Sequence, residues 1–299
     1  MSNAIPDTTV TVLALIDLMA ARLEDAGLSF SDGYGQGTTN AFDEAAWLVL
    51  WQLGLPLDDL DSVENMPVTP VDQARVALLF EARSISRKPA AYLTNEAWLM
   101  GVPFYVDERV IIPRSFIAEL LADGSIDPWL SEQTHRVLDL CTGNGSLAVL
   151  AAMTYPGVVV DAADISPDAL AVARINVDRH QLADRITLIE SDGLAACTGH
   201  YDLILCNPPY VNAASMAALP AEFRAEPHIA LAGGTDGMDF IRSLFLTAAA
   251  QMNENTVLVL EIGNERENFE RAFPHLKPLW FETSAGSEQV LLLTREQLA

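Results

Sequence analysis

Hydrophobic residues follow a helical spacing over the first 90 residues of the chain. They recur every three or four positions in three stretches, which predicts amphipathic helices at 9–26, 40–53 and 70–86. Thr9 is the expected cap of the first helix, and Thr69 followed by proline is the expected start of the third. Gly33, Gly35 and Gly37 indicate a loose loop. We predict a helical domain at residues 1–95, either a stable packing module or a surface that docks a substrate.

Shorter apolar runs follow, and their pattern is that of strands. Three of them, at 97–100, 103–106 and 109–112, are separated by Gly101 and by Asp107-Glu108. This spacing is typical of a hairpin or small meander, so residues 96–114 are expected to form a β-hairpin linker. Ser115 is the expected cap of the helix that comes next.

From residue 136 onward, apolar runs alternate with amphipathic stretches. The runs predict strands near 136–140, 158–164, 186–190, 202–206, 257–261, 278–283 and 289–294. The other stretches predict helices near 146–154, 167–179, 237–251 and 265–272. Such alternation is typical of an α/β domain, here 115–299, whose mostly parallel sheet is covered on both faces. No clear helix separates the last two strands, so one of them is expected to run antiparallel.

The charge of the chain restricts its partners. There are 17 lysines and arginines against 41 aspartates and glutamates, a formal net charge of −24. Binding along a nucleic acid needs a basic face, so no direct nucleic-acid grip is expected. The charge suits a basic protein partner, although it also suits solubility alone.

Other compositional signals are negative. The three cysteines and five histidines show no metal-ligand spacing and no disulfide framework, so no metal is expected. The N-terminus lacks the basic segment of a signal peptide, and no run of about 18 apolar residues is present. We therefore expect a cytoplasmic protein without a membrane span.

The segment Asn207-Pro208-Pro209-Tyr210 follows the strand predicted at 202–206. Two prolines end the strand and fix the backbone there, at the edge of the sheet where open α/β folds bind ligands. This corner offers the side-chain carbonyl of Asn207, the main-chain carbonyl of Pro208 and the ring of Tyr210. Two acceptors and an aromatic face suit a planar NH2 group, while the alternative is an ordinary proline-rich turn.

Three acidic residues lie at the ends of the first three strands. Asp139 begins the loop Asp139–Ser146, whose Gly143 and Gly145 allow close approach of a ligand to the start of a helix. Asp164 ends the next strand, 21 residues after Gly143, where a carboxylate can bind ribose hydroxyls. Asp192 follows the third strand. Together they predict an adenosine pocket.

Two cofactors fit this pocket, because the loop also satisfies the glycine pattern of nicotinamide dehydrogenases. Asp139 favours S-adenosylmethionine, because a carboxylate attracts the positively charged ammonium or sulfonium of that cofactor. The same carboxylate would repel the pyrophosphate of a nicotinamide cofactor. With these motifs the chain resembles the class I S-adenosylmethionine-dependent methyltransferases, which have a Rossmann-like domain with a seven-stranded, mostly parallel sheet. The segment Asn207–Tyr210 is similar to that of the branch which methylates planar nitrogen atoms.

A narrower resemblance covers nearly the whole chain. The helical domain and the segments 91–98, 106–115, 226–227 and 233–237 resemble the protein-(glutamine) methyltransferases. Within that family, Ile112–Ser115 and Cys141 resemble the PrmB type, whose substrate is a glutamine of the large-subunit ribosomal protein L three. The sister type methylates peptide release factors and usually carries glycine in place of Cys141. Ala225 departs from the family pattern, where histidine is common, as does the turn at 285–289.

The resemblance implies roles for particular residues. The catalytic group comprises Asn207, Pro208 and Tyr210, whose carbonyls and ring would hold the glutamine amide. Substrate binding would add Pro209, Arg114 and Glu226. The cofactor would contact Asp139, Cys141, Thr142, Gly143, Gly145, Asp164, Ile165, Asp192, Gly193 and Asn207. Methylation of release factors, or less readily of a nucleic-acid base, is the alternative activity, and a dehydrogenase or a non-enzymatic binding protein would leave more of the sequence unexplained.

Overall fold

The structure is a computed structural model that describes residues 10–28, 34 and 37–299. The predicted cap Thr9 and two of the three loop glycines, Gly33 and Gly35, lie outside these residues. The chain divides into two compact units. The first comprises residues up to 96 together with 220–225, and the second comprises 97–219 and 226–299.

The first unit is built from helices. They are α1 (Val12–Asp25), α2 (Ala41–Leu53), α3 (Leu60–Val63), α4 (Pro70–Ser86) and α5 (Ala90–Thr94), with a short antiparallel pair β1 (Val10–Thr11) and β2 (Pro67–Val68). Side chains of Thr11 and Thr69 accept hydrogen bonds from backbone N–H groups and so cap α1 and α4. Leu15, Leu48 and Phe80 from the three long helices meet in one buried core.

A buried ion network also belongs to the first unit. Arg83, with no exposed surface, donates from Nε to Glu44 at 2.8 Å and from Nη1 to Glu222 at 3.1 Å. Arg87 donates to both carboxylate oxygens of Glu222, at 2.5 and 3.2 Å. Burial raises the pKa of Glu222, but the hydrogen bonds from the two arginines outweigh it and lower the pKa. The network therefore holds segment 220–225 against α2 and α4.

The expected hairpin, β3 (Glu96–Leu99) and β4 (Val102–Tyr105), belongs to the second unit from Ala97 onward. The run 109–112 does not add a third strand, so the meander alternative is wrong. Asp107 accounts for this, because its Oδ1 accepts the backbone N–H of Arg109 at 3.0 Å and turns the chain. The next helix, α6 (Ile117–Asp123), begins two residues after Ser115, which is not its cap. The Ser115 hydroxyl instead accepts the N–H of Ile117 at 3.2 Å.

Seven strands form the main sheet. In chain order they are β5 (Arg136–Leu140), β6 (Val159–Asp164), β7 (Ile186–Glu190), β8 (Tyr201–Cys206), β9 (Met252–Glu261), β10 (Leu279–Trp280) and β11 (Val290–Thr294). Their order in the sheet is β10-β11-β9-β8-β5-β6-β7. Strands β5 to β9 are mutually parallel, whereas β11 runs antiparallel to β9. The predicted Rossmann-like, mostly parallel sheet is thus confirmed, together with its antiparallel edge.

Both faces of the sheet are buried. Val137, Leu203 and Val259 lie in the core on one face, and their chain neighbours Leu138, Ile204 and Leu258 lie in the core on the other. The remaining helices are α7 (Ser146–Thr154), α8 (Pro167–Arg179), α9 (Ala213–Ala218), α10 (Asp239–Phe245), α11 (Arg266–Ala272) and α12 (Arg295–Leu298). No helix within the described residues is apolar over a length sufficient to cross a bilayer.

Two predicted elements of this unit are shorter than expected. The helix near 237–251 ends at Phe245 and is followed by a 3-10 turn at Ala248–Gln251, because Thr247 between them leaves helical geometry at φ −129°. The strand near 278–283 is reduced to Leu279–Trp280, since Thr283 and Gly286 close a tight turn.

Removing the buried arginine of α4 should destabilise the first unit. Arg83→Met should lower the free energy of unfolding by about 3–5 kcal/mol, because Glu44 would stay buried without the guanidinium that it faces. Arg75→Met on the same helix is the matched control, since Arg75 forms an exposed pair with Asp72 and should change stability by less than about 1 kcal/mol. Urea denaturation followed by circular dichroism distinguishes them, and equal midpoints would contradict the assignment.

Candidate active site

The parallel strands end in register at one edge of the sheet. Leu140 of β5 is paired with Ala163 of β6 and with Cys206 of β8, and Cys206 is paired with Leu260 of β9. The segments after these strands therefore emerge side by side. A cavity of about 450 Å³ lies at this edge. Eight of the predicted site residues line it: Cys141, Gly143, Asp164, Ile165, Asp192, Gly193, Asn207 and Pro209.

The loop after β5 is held by a buried carboxylate. Asp139 is 1% exposed, and its Oδ2 accepts from the Thr142 hydroxyl at 2.5 Å and from the backbone N–H of Ala148 at 2.9 Å. Its Oδ1 is buried without a hydrogen-bond partner among the described residues. Burial raises the pKa of Asp139 to about 7. Asp139 and Thr142 lie behind the cavity wall, where they fix the loop onto α7, and Gly145 precedes that helix as its N-cap.

Cys141 adopts an uncommon backbone conformation at the cavity wall. Its φ is 62°, the left-handed region that glycine enters without a steric penalty. This geometry explains in physical terms why glycine suits the position in similar loops. The pKa of Cys141 is raised well above its usual value, mainly by a hydrogen bond with the Cys206 thiol and secondly by burial. The Cys141 thiol therefore stays protonated at neutral pH.

Asp164 joins two of the loops that line the cavity. Its Oδ2 accepts the N–H of Gly143 and its Oδ1 accepts the N–H of Ser166, both at 2.9 Å. Burial raises its pKa above the usual value for aspartate. Beside it, Ile165 is half exposed and provides an apolar surface. The exposed Asp192 borders the same cavity, next to a turn in which the Ser191 hydroxyl donates to the Gly193 carbonyl at 2.7 Å.

The corner Asn207–Tyr210 directly follows β8, as its prolines predict. Asn207 and Pro209 line the cavity, Pro208 is buried, and Tyr210 is half-buried and does not line it. A Cβ on Gly263 would lie 2.5 Å from Cε2 of Tyr210, and one on Gly237 would lie 2.3 Å from its carbonyl oxygen. Since both glycines also have positive φ, no other residue fits easily at either position.

Arg114 and Glu226 bind each other and do not line the cavity. The guanidinium donates from Nη1 to Oε1 at 2.6 Å and from Nη2 to Oε2 at 2.7 Å, a bidentate pair. Oε1 of Glu226 also accepts the N–H of Ile112 at 3.1 Å. The pair joins the segment before α6 to Pro227 and His228, which do line the cavity. A direct contact of either residue with substrate stays a prediction.

The structure adds residues that the sequence reasoning missed. Arg109, His228, Ile229 and Phe240 line the cavity. Glu261 lies beside the corner, and its Oε1 accepts from the Tyr210 hydroxyl at 3.4 Å. Glu261 ends β9 in the same way that Asp164 ends β6, and this signal could have identified it. His228 and Ile229 have no comparable signal, because a 3-10 turn brings them to the cavity.

The doubly wound sheet and the loops at its edge define a Rossmann-like class I methyltransferase. A family model described as "Methyltransferase small domain" matches residues 125–236. The hMettl16 catalytic domain, solved in complex with MAT2A 3'UTR hairpin 1, is similar in fold, with a TM-score of 0.51 and 14% identity. That match covers 83% of this chain and 91% of the other.

Two curated relatives are far more similar in sequence. Ribosomal protein uL3 glutamine methyltransferase of Bordetella pertussis is 51% identical over 291 residues, 96% of each chain. Its counterpart in Neisseria meningitidis serogroup B is 47% identical over 300 residues, 100% of this chain and 97% of the relative. The chain therefore belongs to the ribosomal protein uL3 glutamine methyltransferase family, and the resemblance read from its motifs is confirmed.

The raised pKa of Asp139 makes stability depend on pH in a defined direction. Between pH 5 and pH 7 the folded protein keeps a proton on Asp139 that the unfolded chain has released, so stability falls as pH rises. One pKa unit corresponds to about 1.4 kcal/mol, which gives about 3 kcal/mol over two units. Asparagine does not titrate. Between pH 5 and pH 8 the free energy of unfolding of Asp139→Asn should therefore rise by about this amount relative to that of the wild type.

Urea denaturation at the two pH values measures this shift. Asp184→Asn, the same substitution at an exposed position, should leave the pH dependence of the wild type unchanged. Parallel curves for Asp139→Asn and Asp184→Asn would show that Asp139 ionises normally in the folded protein.

Proposed function

We propose that the protein transfers a methyl group from S-adenosylmethionine to the side-chain amide nitrogen of a glutamine in ribosomal protein uL3. The observation that carries this proposal is the placement of Asn207 and Pro209 at the same cavity as Asp164, beside the rigid corner that ends in Tyr210. Curated relatives of 42–51% identity, named ribosomal protein uL3 glutamine methyltransferase, support the choice of substrate.

The cavity suits the proposed cofactor in size and chemistry. Its volume of about 450 Å³ is in the range for small-molecule sites. The Asp164 carboxylate can accept hydrogen bonds from ribose hydroxyls, while Leu140, Ile165 and Phe240 provide apolar surface for a base. When bound, S-adenosylmethionine supplies an electrophilic methyl group on a sulfonium. Asp139 would act at a distance, by holding the loop that contains Gly143.

Residues of the corner would prepare the amide nitrogen for attack. An amide nitrogen is a weak nucleophile because its lone pair is delocalised into the carbonyl group. The Asn207 side-chain oxygen and the Pro208 carbonyl would each accept a hydrogen bond from one N–H group of the substrate amide. These two bonds would orient the nitrogen and stabilise the positive charge that develops on it. The Tyr210 ring would lie against the amide plane. Transfer would replace the carbon–sulfur bond with a carbon–nitrogen bond and leave a neutral thioether, and the nitrogen would release one proton to solvent afterwards.

The proposed partner agrees with the charge of the chain. A net charge of −24 attracts a basic polypeptide and disfavours a grip on nucleic acid. Within this proposal, residues 1–95 dock the substrate protein and residues 115–299 carry out the transfer. Residues 96–114 are the β-hairpin linker between these two domains.

Purified substrates test the choice of protein directly. The enzyme and labelled S-adenosylmethionine should transfer label to uL3, and a uL3 variant with the modified glutamine replaced by alanine should take up none. Peptide release factors run side by side should stay unlabelled. Label in the release factors alone would overturn the proposed substrate, although the chemistry would be the same.

Two substitutions separate catalysis from cofactor binding. Asn207→Ala should lower turnover by roughly a hundred- to thousand-fold, about 3–4 kcal/mol, because one acceptor of the amide is lost in an enclosed site. Its affinity for the cofactor, measured by titration calorimetry, should fall far less than its turnover. Asp164→Ala should mainly weaken that affinity. Wild-type turnover in Asn207→Ala, or an unchanged titration for Asp164→Ala, would contradict the assigned role.

A further inference from the structure

Glu261 is a buried carboxylate on which several donors converge. It ends β9 and is 1% exposed. Its Oε2 accepts from the Ser115 hydroxyl at 2.6 Å and from the backbone N–H of Phe116 at 2.9 Å, and its Oε1 accepts from the Tyr210 hydroxyl at 3.4 Å. These donors are hydroxyls and a backbone amide, so they stabilise the acid without a direct ion pair. The carboxylate therefore bridges two segments that lie about a hundred residues apart in the chain.

The position of Glu261 relates it to the reacting group. Leu260 is paired with Cys206, so the next residues along the two strands are Glu261 and Asn207. Glu261 thus stands at the sheet edge beside the residue proposed to hold the substrate amide. Its carboxylate also accepts the hydrogen bond from Tyr210, the aromatic residue of the same corner.

The other side of Glu261 holds a second wall of the cavity. Ser115 directly follows Arg114, which forms the bidentate pair with Glu226. Glu226 in turn precedes Pro227 and His228 of the cavity lining. Fixing Ser115 therefore also restrains the cavity wall that starts at Pro227.

Tyr210 has few other ways to be oriented. The ring packs against Gly263 and the backbone carbonyl packs against Gly237, but the ring can still swing about the Cα–Cβ bond, a motion that moves its hydroxyl. Its hydroxyl is the single polar atom at the far end of the ring, and Glu261 is the acceptor that it contacts. Burial raises the pKa of Tyr210, with Glu261 as the next cause, so the hydroxyl keeps its proton and remains a donor.

We propose that Glu261 is a positioning residue for methyl transfer, which acts through the Tyr210 hydroxyl to fix the ring against the substrate amide. The inference rests on the proposed function, because it assigns a role to Tyr210 in that reaction. Glu261 itself touches neither substrate nor cofactor, and its effect should be seen in turnover more than in binding.

A double-mutant cycle on turnover of uL3 tests the proposal. Glu261→Gln replaces the carboxyl group with an amide, and Tyr210→Phe removes only the oxygen that the carboxyl group contacts. Each should lower kcat by up to about tenfold, the order expected for the loss of one hydrogen bond. Affinity for the cofactor and KM for uL3 should stay within about twofold, since no ground-state contact is lost. In the Tyr210→Phe background, Glu261→Gln should lower kcat by less than about threefold more, because both changes break the same contact.

The control is Glu254→Gln, the same substitution at an exposed position of the same strand, which should behave like the wild type. Losses of kcat that multiply in the double variant, or a Glu261→Gln variant as active as Glu254→Gln, would overturn the inference. The Tyr210→Phe arm keeps the test decisive even if Glu261→Gln folds poorly. A wild-type enzyme that does not methylate uL3 would instead refute the proposed function and is recognised in the same assay.

Discussion

The hydrogen-bond register of four parallel strands determines where Asp164, Asn207 and Glu261 lie. Strands β6, β5, β8 and β9 end beside one another, so Asp164, the loop after Leu140, Asn207 and Glu261 all emerge at one edge. Slipping any of these strands by one residue would turn its side chains to the other face of the sheet. The buried cores on both faces prevent that slip. The position of the site therefore depends on the packing of apolar side chains against the two faces of the sheet.

Four buried carboxylates fall into two groups, which are stabilised either by guanidinium groups or by neutral donors. In the first unit, Glu44 and Glu222 face the guanidinium groups of Arg83 and Arg87, so charge is balanced by charge. In the second unit, Asp139 and Glu261 accept from hydroxyls and backbone N–H groups, and burial raises the pKa of each to about 7. Neutral donors leave these acids costly to ionise. Both of them hold segments that shape the cavity.

Alternation of apolar runs sufficed to predict the sheet, its antiparallel edge and the three long helices of the first unit, but not the short helices α3 and α5. It also located Asp164 and Asn207, because a polar residue at a strand end is visible in one dimension. The bidentate pair of Arg114 with Glu226 and the contact of Tyr210 with Glu261 join residues 112 and 51 positions apart, and no local pattern records such contacts. The same holds for segment 220–225, which belongs to the helical unit and is bound there through Glu222 to the distant Arg83 and Arg87. Local turns also have no signal in the hydrophobic periodicity. The turn at Thr247 ends the helix α10 early, and the turn at Asp107 prevents a third strand at 109–112.

Close packing around the corner bears on how the site could work. Any side chain at Gly237 or Gly263 would collide with Tyr210, and a Cβ on Gly233 would lie 2.7 Å from the Tyr210 backbone. Three glycines, two prolines and the Glu261 carboxylate thus restrain the corner before a substrate arrives. Groups fixed in this way need little reorganisation when charge develops on a bound nitrogen, and this is the condition under which weak acceptors such as amide carbonyls stabilise a transition state most effectively. In the proposed reaction that rigidity would matter more than a strong base, because the amide would lose its proton only after the new bond has formed.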